Sequence, residues 1–140
     1  MNSFYENTWI DSAVASWRAQ DVKLRMGATA SEADEAEHFL NLVFPKSFKD
    51  FHAVTDGFEY CDMDENMFSL WSYDRIVKEY SEGTDPNWIS ICDYLISSHM
   101  FGYRKGHIEV FKEYDGSFIV VANNFPEFIR LLIQNDDCLY

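Results

Sequence analysis

The residues that come nearest to a ligand site are the acids of residues 59–66, here called the acidic loop. Asp62, Asp64 and Asn66 have the spacing of the first three oxygen ligands of a calcium-binding loop. Such a loop needs Gly at its sixth position, which is Met67 here, and its twelfth position also lacks the required Glu. The pattern therefore predicts no metal site. It leaves a solvated loop or a protein-docking loop.

Histidine and cysteine form no catalytic pattern in this sequence. The chain has 4 His and 3 Cys, without a Cys-x-x-Cys pair or a His-Glu-x-x-His motif. Ser97 and His99 would share one side of a strand, but no nucleophile elbow supports them, and Cys92 would need a distant His. Glycine-rich nucleotide-binding motifs do not occur. We predict a protein that is not an enzyme and binds no cofactor, with a chemical role for Cys92 or His99 left open.

The charge of the chain restricts its partners. Eleven Lys and Arg stand against 24 Asp and Glu, a net charge of −13 that is spread along the chain. Such a surface repels nucleic-acid phosphates and anionic membranes, whereas it attracts a basic protein. We therefore expect a basic protein partner, no direct nucleic-acid binding and no membrane binding. Acidity that serves solubility alone is the other interpretation.

No segment of the sequence indicates a membrane span or an export signal. The longest apolar run, residues 118–122, is far too short to cross a bilayer. The first thirty residues contain Glu6, Asp11 and Asp21 and no apolar block, so they do not resemble a signal peptide. We expect a cytoplasmic location.

The elements that must position these groups follow from the hydrophobic periodicity. Helices are predicted over residues 3–19, where Tyr5 and Trp9 begin the apolar stripe, 31–44, 46–55, 73–80 and 125–134. Ser31 and Asn124 are predicted as N-caps. Strands are predicted over residues 67–71, 88–93, 95–104, 108–113 and 117–122, with turns at Lys105-Gly106 and Asp115-Gly116.

The order of these elements predicts a single α+β domain over residues 1–140. An antiparallel-rich sheet should be flanked by the N-terminal helices and by the C-terminal helix. Hydrophobic residues make up 47% of the chain, which is enough for one core. The predicted core includes Leu40, Phe51, Leu70, Ile91, Val110, Val120 and Ile129.

Short motifs occur in one order along residues 28–134. They are Gly27-Ala28-Thr29-Ala30-Ser31, Phe44-Pro45-Lys46-Ser47-Phe48, Asp56-Gly57-Phe58, Phe68-Ser69-Leu70-Trp71, Trp88-Ile89-Ser90-Ile91, Met100-Phe101-Gly102-Tyr103 and Asn124-Phe125-Pro126-Glu127-Phe128. In this order they resemble the SUKH superfamily, which includes the fungal glucan-synthesis regulator and many bacterial immunity proteins. One departure is Phe58, because the family often has a second glycine after Gly57.

The resemblance implies an α+β fold and no enzyme. Its bacterial members bind and neutralise toxins, often nucleases, and its fungal members are interaction modules in cell-wall signalling. A nuclease toxin tends to be basic, so an acidic antidote would be complementary to it. An immunity-type protein is the first hypothesis. A regulatory or scaffold module of the glucan-synthesis-regulator type is the alternative, and an enzyme that uses Cys92 or His99 is the third.

The predicted partner-binding residues are Glu59, Asp62, Asp64 and Glu65 of the acidic loop, together with Trp88. The loop lies between a helix exit and a strand, where exposure is expected. Trp88 follows a proline-containing loop, and exposed tryptophan is enriched at binding hot spots. A core position at the start of a strand is the alternative for Trp88.

Overall fold

The structure, a computed structural model, describes residues 8–140. The helices in this range are α1 (Thr8–Ala19), α2 (Ala30–Leu40), α3 (Lys46–Val54), α4 (Tyr73–Glu82) and α5 (Phe125–Gln134). The strands are β1 (Phe68–Leu70), β2 (Trp88–Tyr94), β3 (His99–Arg104), β4 (Val110–Tyr114) and β5 (Ser117–Ala122), and a short 3-10 turn, Asp137–Leu139, follows α5. The predicted α+β fold is confirmed. Tyr5 and the predicted start of the first helix lie outside the described residues.

The five strands form an antiparallel meander in which each strand pairs with the next one in the chain. Directly opposed residues in such a sheet lie on the same face. One row of opposed residues crosses all five strands: Ser69, Asp93, Met100, Glu113 and Phe118. We call the face that carries this row the outer face. The opposite, inner face packs against the helices.

An aromatic core fills the space between the inner face and the helices α1, α3 and α5. Phe48 of α3 stacks on Phe44 at 4.2 Å between ring centroids and meets Phe125 of α5 at 4.9 Å. Phe101 of β3 contacts Phe128 of α5 at 5.4 Å. Each such side chain contributes about 1.5–3 kcal/mol when it leaves water completely. This packing fixes the sheet that carries the outer face.

Six of the seven predicted core residues are buried, with at most 2% of their surface exposed: Leu40, Phe51, Leu70, Ile91, Val110 and Ile129. The prediction for Val120 is wrong, because 48% of its surface is exposed. Val120 opposes Phe111 on the outer face of β5, which is an edge strand. A continuous apolar run does not reveal which of its residues face the helices.

Several predicted boundaries differ from the structure. The N-cap of α2 is Thr29 and not Ser31, because Thr29 Oγ1 accepts from the Glu32 amide and Glu32 Oε1 accepts from the Thr29 amide. The predicted cap Asn124 of α5 is confirmed by its 2.9 Å bond from the Glu127 amide. Strand β3 begins only at His99, because the positive φ angles of residues 95–97 form a turn.

Helix α4 is placed by the short strand that precedes it. Strand β1 pairs only with the second half of β2, so α4 lies beside the first half of that strand. Ser72 caps α4 by accepting a hydrogen bond from the Arg75 amide at 3.2 Å. The Asp56 carboxylate accepts from the Tyr73 amide at 3.0 Å and ties the start of α4 to the end of α3. Helix α4 therefore forms one wall along the sheet.

The departure at Phe58 is accommodated by packing. Gly57 has a φ of +77°, and a Cβ there would come within 2.7 Å of the Leu70 carbonyl oxygen, so this glycine is required. Phe58 is buried and meets the Trp17 ring at 5.0 Å. Its backbone forms an antiparallel bridge with Leu24, in the segment that follows α1. The turn thus needs one glycine and uses the next position for the core.

No helix within residues 8–140 combines the length and apolar character that a bilayer crossing requires.

Candidate protein-binding site

The acidic loop directs one of its carboxylates into the protein. Asp64 is buried, and its Oδ1 accepts hydrogen bonds from the amides of Asn66 at 2.9 Å and Phe68 at 3.0 Å. These bonds close the turn that leads into β1. Burial raises the pKa of the Asp64 carboxyl above its usual value. The expectation that Asp64 is exposed is therefore wrong, and its side chain is not part of the surface that a partner can reach in this conformation.

Two more acids of the loop are held by the segment that follows α1. The Asp62 carboxylate accepts a hydrogen bond from the Lys23 amide, and Glu59 lies 3.6 Å from the Arg25 guanidinium. The Glu65 side chain is exposed. Its backbone amide donates a hydrogen bond to Gln20 Oε1 at 3.0 Å. A partner-binding role of Glu59, Asp62 and Glu65 stays a prediction.

Trp88 lies on the outer face at the start of β2 and is half-buried. Its indole N–H donates to Ser90 Oγ at 2.7 Å, and its ring meets Phe118 of β5 at 5.2 Å between centroids. Gly102 of β3 lies on the same face between these two strands and contributes no side chain. A Cβ at Gly102 would come within 2.0 Å of the Ile89 carbonyl oxygen, so the backbone at the β2 bulge requires this glycine.

A cavity of about 280 Å³ opens next to Trp88, between α4, residues 83–87 and the outer face. We call it the Trp88 pocket. Its apolar and aromatic lining consists of Trp71, Tyr80, Trp88, Met100 and Phe118. Three carboxylate side chains also line it: Glu79, Asp85 and Glu113. The pocket thus combines flat aromatic walls with negative charge.

Three of the four aromatic rings of the Trp88 pocket have a cation of this chain over them. Arg75 lies over Trp71 at 4.3 Å from the ring centroid, Arg104 over Phe118 at 4.5 Å, and Lys105 over Tyr80 at 5.3 Å. Each contact is a cation–π interaction. No cation of residues 8–140 takes such a position over Trp88.

The three carboxylates of the Trp88 pocket form no ion pair with any other residue that the structure describes. Asp85 Oδ1 accepts from the Asn87 amide at 2.9 Å, and Glu113 Oε1 accepts from the Gly116 amide at 3.2 Å. Each of these two groups still has a second carboxylate oxygen. The pocket therefore offers negative charge that the described part of the chain does not neutralise.

Arg75 of α4 stands between the acidic loop and the Trp88 pocket. Its guanidinium lies 3.7 Å from Asp93 Oδ1 and 5.1 Å from the centroid of the Tyr60 ring in the loop. Asp93 is buried and accepts from Trp71 Nε1 at 2.8 Å and from the Ser97 amide at 2.7 Å. This network fixes Trp71 as a rigid wall of the pocket. The structure thus brings Trp88 and the loop to one side of the sheet, with Arg75 between them.

Cys92 and His99, the two groups that the sequence leaves open for a chemical role, are not hydrogen-bonded to each other: Cys92 Sγ lies 3.8 Å from the Asp93 carbonyl oxygen, and His99 Nδ1 lies 3.4 Å from Ser98 Oγ. Cys92 is buried, and burial raises the pKa of its thiol well above the usual value, which keeps it protonated and unreactive at neutral pH. Within residues 8–140, no cluster of three or more His, Cys, Asp or Glu side chains is arranged to hold a metal ion.

The sequence predictions missed the three carboxylates of the pocket. One signal was available, because the two-residue turn at Asp115-Gly116 fixes the register in which Glu113 opposes Phe118. Asp85 precedes Trp88 by three residues, but the sequence does not indicate that its side chain lies next to the Trp88 ring. Glu79 lies on α4, and its approach to β2 depends on tertiary packing alone.

Comparison with known proteins gives one result for the family. No curated protein matches the chain. The model of the SMI1 / KNR4 family (SUKH-1) matches residues 27–131, a range that contains the whole sheet, α4 and the Trp88 pocket. This match extends over well more than half of the 140 residues and confirms the resemblance that the sequence motifs indicate. The chain belongs to the SMI1/KNR4 family (SUKH-1).

Proposed function

We propose that this chain is an immunity-type protein that binds and neutralises a basic, nuclease-like toxin. Membership of the SMI1/KNR4 family supports an immunity-like or regulator-like protein-binding module. The observation that carries the finer proposal is the Trp88 pocket, where Glu79, Asp85 and Glu113 surround a half-buried tryptophan without an ion pair among the described residues.

The charge of the chain favours such a partner. A nuclease that binds phosphates presents a basic surface, and a chain of net charge −13 attracts that surface over a long range. Long-range attraction raises the association rate, whereas a buried aromatic anchor and desolvated charge pairs slow dissociation. The pocket supplies both kinds of group in one cavity between the sheet, α4 and residues 83–87. Neutralisation would then follow from occupation of the toxin surface and would need no catalysis by this chain.

A regulatory or scaffold module of the glucan-synthesis-regulator type is the alternative. It would use the same pocket for a basic partner that is not toxic. The two functions differ in what happens to a cell when the protein is removed. Only an immunity protein has a partner that stops growth in its absence.

The test is a growth assay with the protein that the adjacent gene encodes. That protein is induced in indicator cells with and without this chain, and nuclease activity is measured with the purified pair. The proposal expects growth arrest that this chain relieves, and inhibition of the nuclease at equimolar ratio. A neighbouring product that is harmless, or a toxin that this chain does not inhibit, would contradict it.

A matched pair of variants connects the assay to the pocket. Asp85→Asn with Glu113→Gln removes two pocket charges and retains the side-chain shapes. Asp11→Asn with Glu35→Gln removes two exposed charges on α1 and α2. Protection should be reduced by the pocket pair and retained by the control pair. An equal loss of protection in the pocket pair and the control pair would show that the effect comes from net charge alone.

A further inference from the structure

Resting on the proposed function, we propose that the Trp88 pocket binds one arginine side chain of the partner protein. The guanidinium lies over the free face of the Trp88 ring and donates hydrogen bonds to the pocket carboxylates. This assigns the pocket a ligand class, a planar cation, and makes Trp88 the anchor of the interface.

The first argument is the local charge. Arg104 and Lys105 are the two cations that lie over Phe118 and Tyr80 without an ion-pair partner among the described residues. Three carboxylates line the same pocket. Even if both cations are counted against them, the pocket is one positive charge short of neutrality. The ring without a cation, Trp88, marks where the missing charge fits.

The second argument is that the chain already contains one arginine that lies over an indole ring and next to a carboxylate. The Arg75 guanidinium lies 4.3 Å from the Trp71 ring centroid and 3.7 Å from the Asp93 carboxylate. The Trp88 pocket repeats two parts of this set, an indole ring and nearby carboxylates, and lacks the guanidinium. A guanidinium is planar and stacks on an aromatic face while its edge donates to carboxylates, which a lysine ammonium does less well.

The third argument is size. Sites for drug-sized ligands usually measure about 300–1,000 Å³. The Trp88 pocket, at about 280 Å³, lies just below that range. It suits a single long side chain, and a nucleotide or a helix would not fit inside it. The negative lining also excludes a phosphate or a carboxylate ligand.

The test is an NMR titration with the blocked tripeptide acetyl-Gly-Arg-Gly-amide. The indole N–H signal of Trp88 is assigned from its loss in the Trp88→Phe variant. We expect a saturable shift of this signal with the arginine peptide, and a binding constant at least about threefold weaker for the lysine peptide. The citrulline peptide has nearly the same shape without the charge, and it should cause no saturable shift. An equal response to citrulline, or no response to arginine, would overturn the proposal.

The charge requirement is tested with the same variants as above. Asp85→Asn with Glu113→Gln should weaken binding of the arginine peptide by at least about tenfold, because charged hydrogen bonds are lost in a partly desolvated site. The control pair, Asp11→Asn with Glu35→Gln, should bind within about twofold of the unaltered protein, because these exposed carboxylates do not line the pocket and are screened by salt. Equal weakening in both pairs would overturn the proposal.

The titration contains no toxin, so its failure is separate from failure of the proposed function. Binding of the arginine peptide without protection in the growth assay would retain the arginine site and reject the immunity function. Protection in the growth assay without peptide binding would retain the immunity function and reject the arginine site.

Discussion

In the acidic loop, Asp62 and Asp64 accept hydrogen bonds from backbone amides, whereas in the Trp88 pocket Glu79, Asp85 and Glu113 surround an aromatic ring without an ion pair among the described residues. Both regions are acidic, and both lie on the same side of the sheet. The loop uses its carboxylates to hold the chain in place. In the pocket, Asp85 and Glu113 each accept from one backbone amide but keep a second oxygen without a hydrogen bond from the described residues, so acidity alone does not identify a binding surface.

The largest expected difference between the two regions concerns Asp64. We predict that Asp64→Ala lowers the free energy of unfolding by about 3 kcal/mol, because two backbone amides at a buried turn lose their acceptor. Asp64→Asn retains one acceptor oxygen and should cost about 1 kcal/mol. Urea denaturation measures both. A loss below about 0.5 kcal/mol for Asp64→Ala would show that the loop is not held by this residue.

The free energy of unfolding should depend on pH through His52, a buried residue that supports one wall of the Trp88 pocket. His52 is buried, and its Nε2 lies 3.1 Å from the carbonyl oxygen of Trp71, whose ring lines the pocket. Burial lowers the pKa of His52 from 6.5 to about 4. The unfolded chain therefore binds one more proton between these values, and the His52 contribution to stability falls as pH decreases from 6.5 to 4.

Asp56 acts in the opposite direction, because burial raises its pKa from 3.8 to about 6. Its contribution to stability rises as pH falls through that interval, so the two groups partly cancel. The comparison is therefore between the unaltered protein and His52→Gln. The His52 contribution to the free energy of unfolding changes by about 1.4 kcal/mol per pH unit between pH 6.5 and 4, and the variant should lack this contribution. Denaturation at several pH values measures the difference. Parallel curves would contradict a buried neutral His52.

Asp62 is expected to have an intermediate effect. Its carboxylate accepts from the Lys23 amide at the surface. Asp62→Ala should lower the free energy of unfolding by about 1 kcal/mol, because a charge-assisted bond is lost where water can replace it. Glu65→Gln in the same loop is the matched control and should change it by less than about 0.5 kcal/mol. An equal effect of both would remove the distinction between bonded and free acids.

The smallest effect on stability should come from the pocket. Asp85→Asn with Glu113→Gln should change the free energy of unfolding by less than about 0.5 kcal/mol, because neither group forms an ion pair with the described residues and each amide retains the oxygen that accepts from Asn87 or Gly116. Reduced repulsion between acids acts in the stabilising direction. Thermal and urea denaturation both measure it. A large loss would show that these carboxylates serve the fold as the loop acids do.

Much of the fold could be predicted from the sequence, because hydrophobic periodicity and turn residues are local signals. The helices α3 and α5 and the register of β4 with β5 follow from such signals. The inward turn of Asp64 was also accessible in principle, since an Asp side chain often bonds the amide two residues later. Val120 shows the limit, because a run of five apolar residues does not distinguish the two faces of a strand.

The candidate site was predicted only in part. The residue type of Trp88 and its position after a loop are sequence signals for a binding residue. Its pocket depends on the approach of α4 to β2, which brings together residues far apart in the chain. The cations over Trp71, Tyr80 and Phe118 are also tertiary contacts. No local pattern in the sequence encodes which of these rings remains uncovered.

The most direct test of the account is the affinity of the toxin from the growth assay for two variants that each lose two negative charges. The pocket variant is Asp85→Asn with Glu113→Gln, and the loop variant is Asp62→Asn with Glu65→Gln. Surface plasmon resonance at low and high salt gives both rate constants. We predict that the pocket variant binds at least about tenfold more weakly and that the loop variant, whose Asp62 and Glu65 are predicted to add contacts beside the pocket, loses less, about threefold. A loop variant that loses as much affinity as the pocket variant, or more, would contradict the assignment of the Trp88 pocket as the binding site.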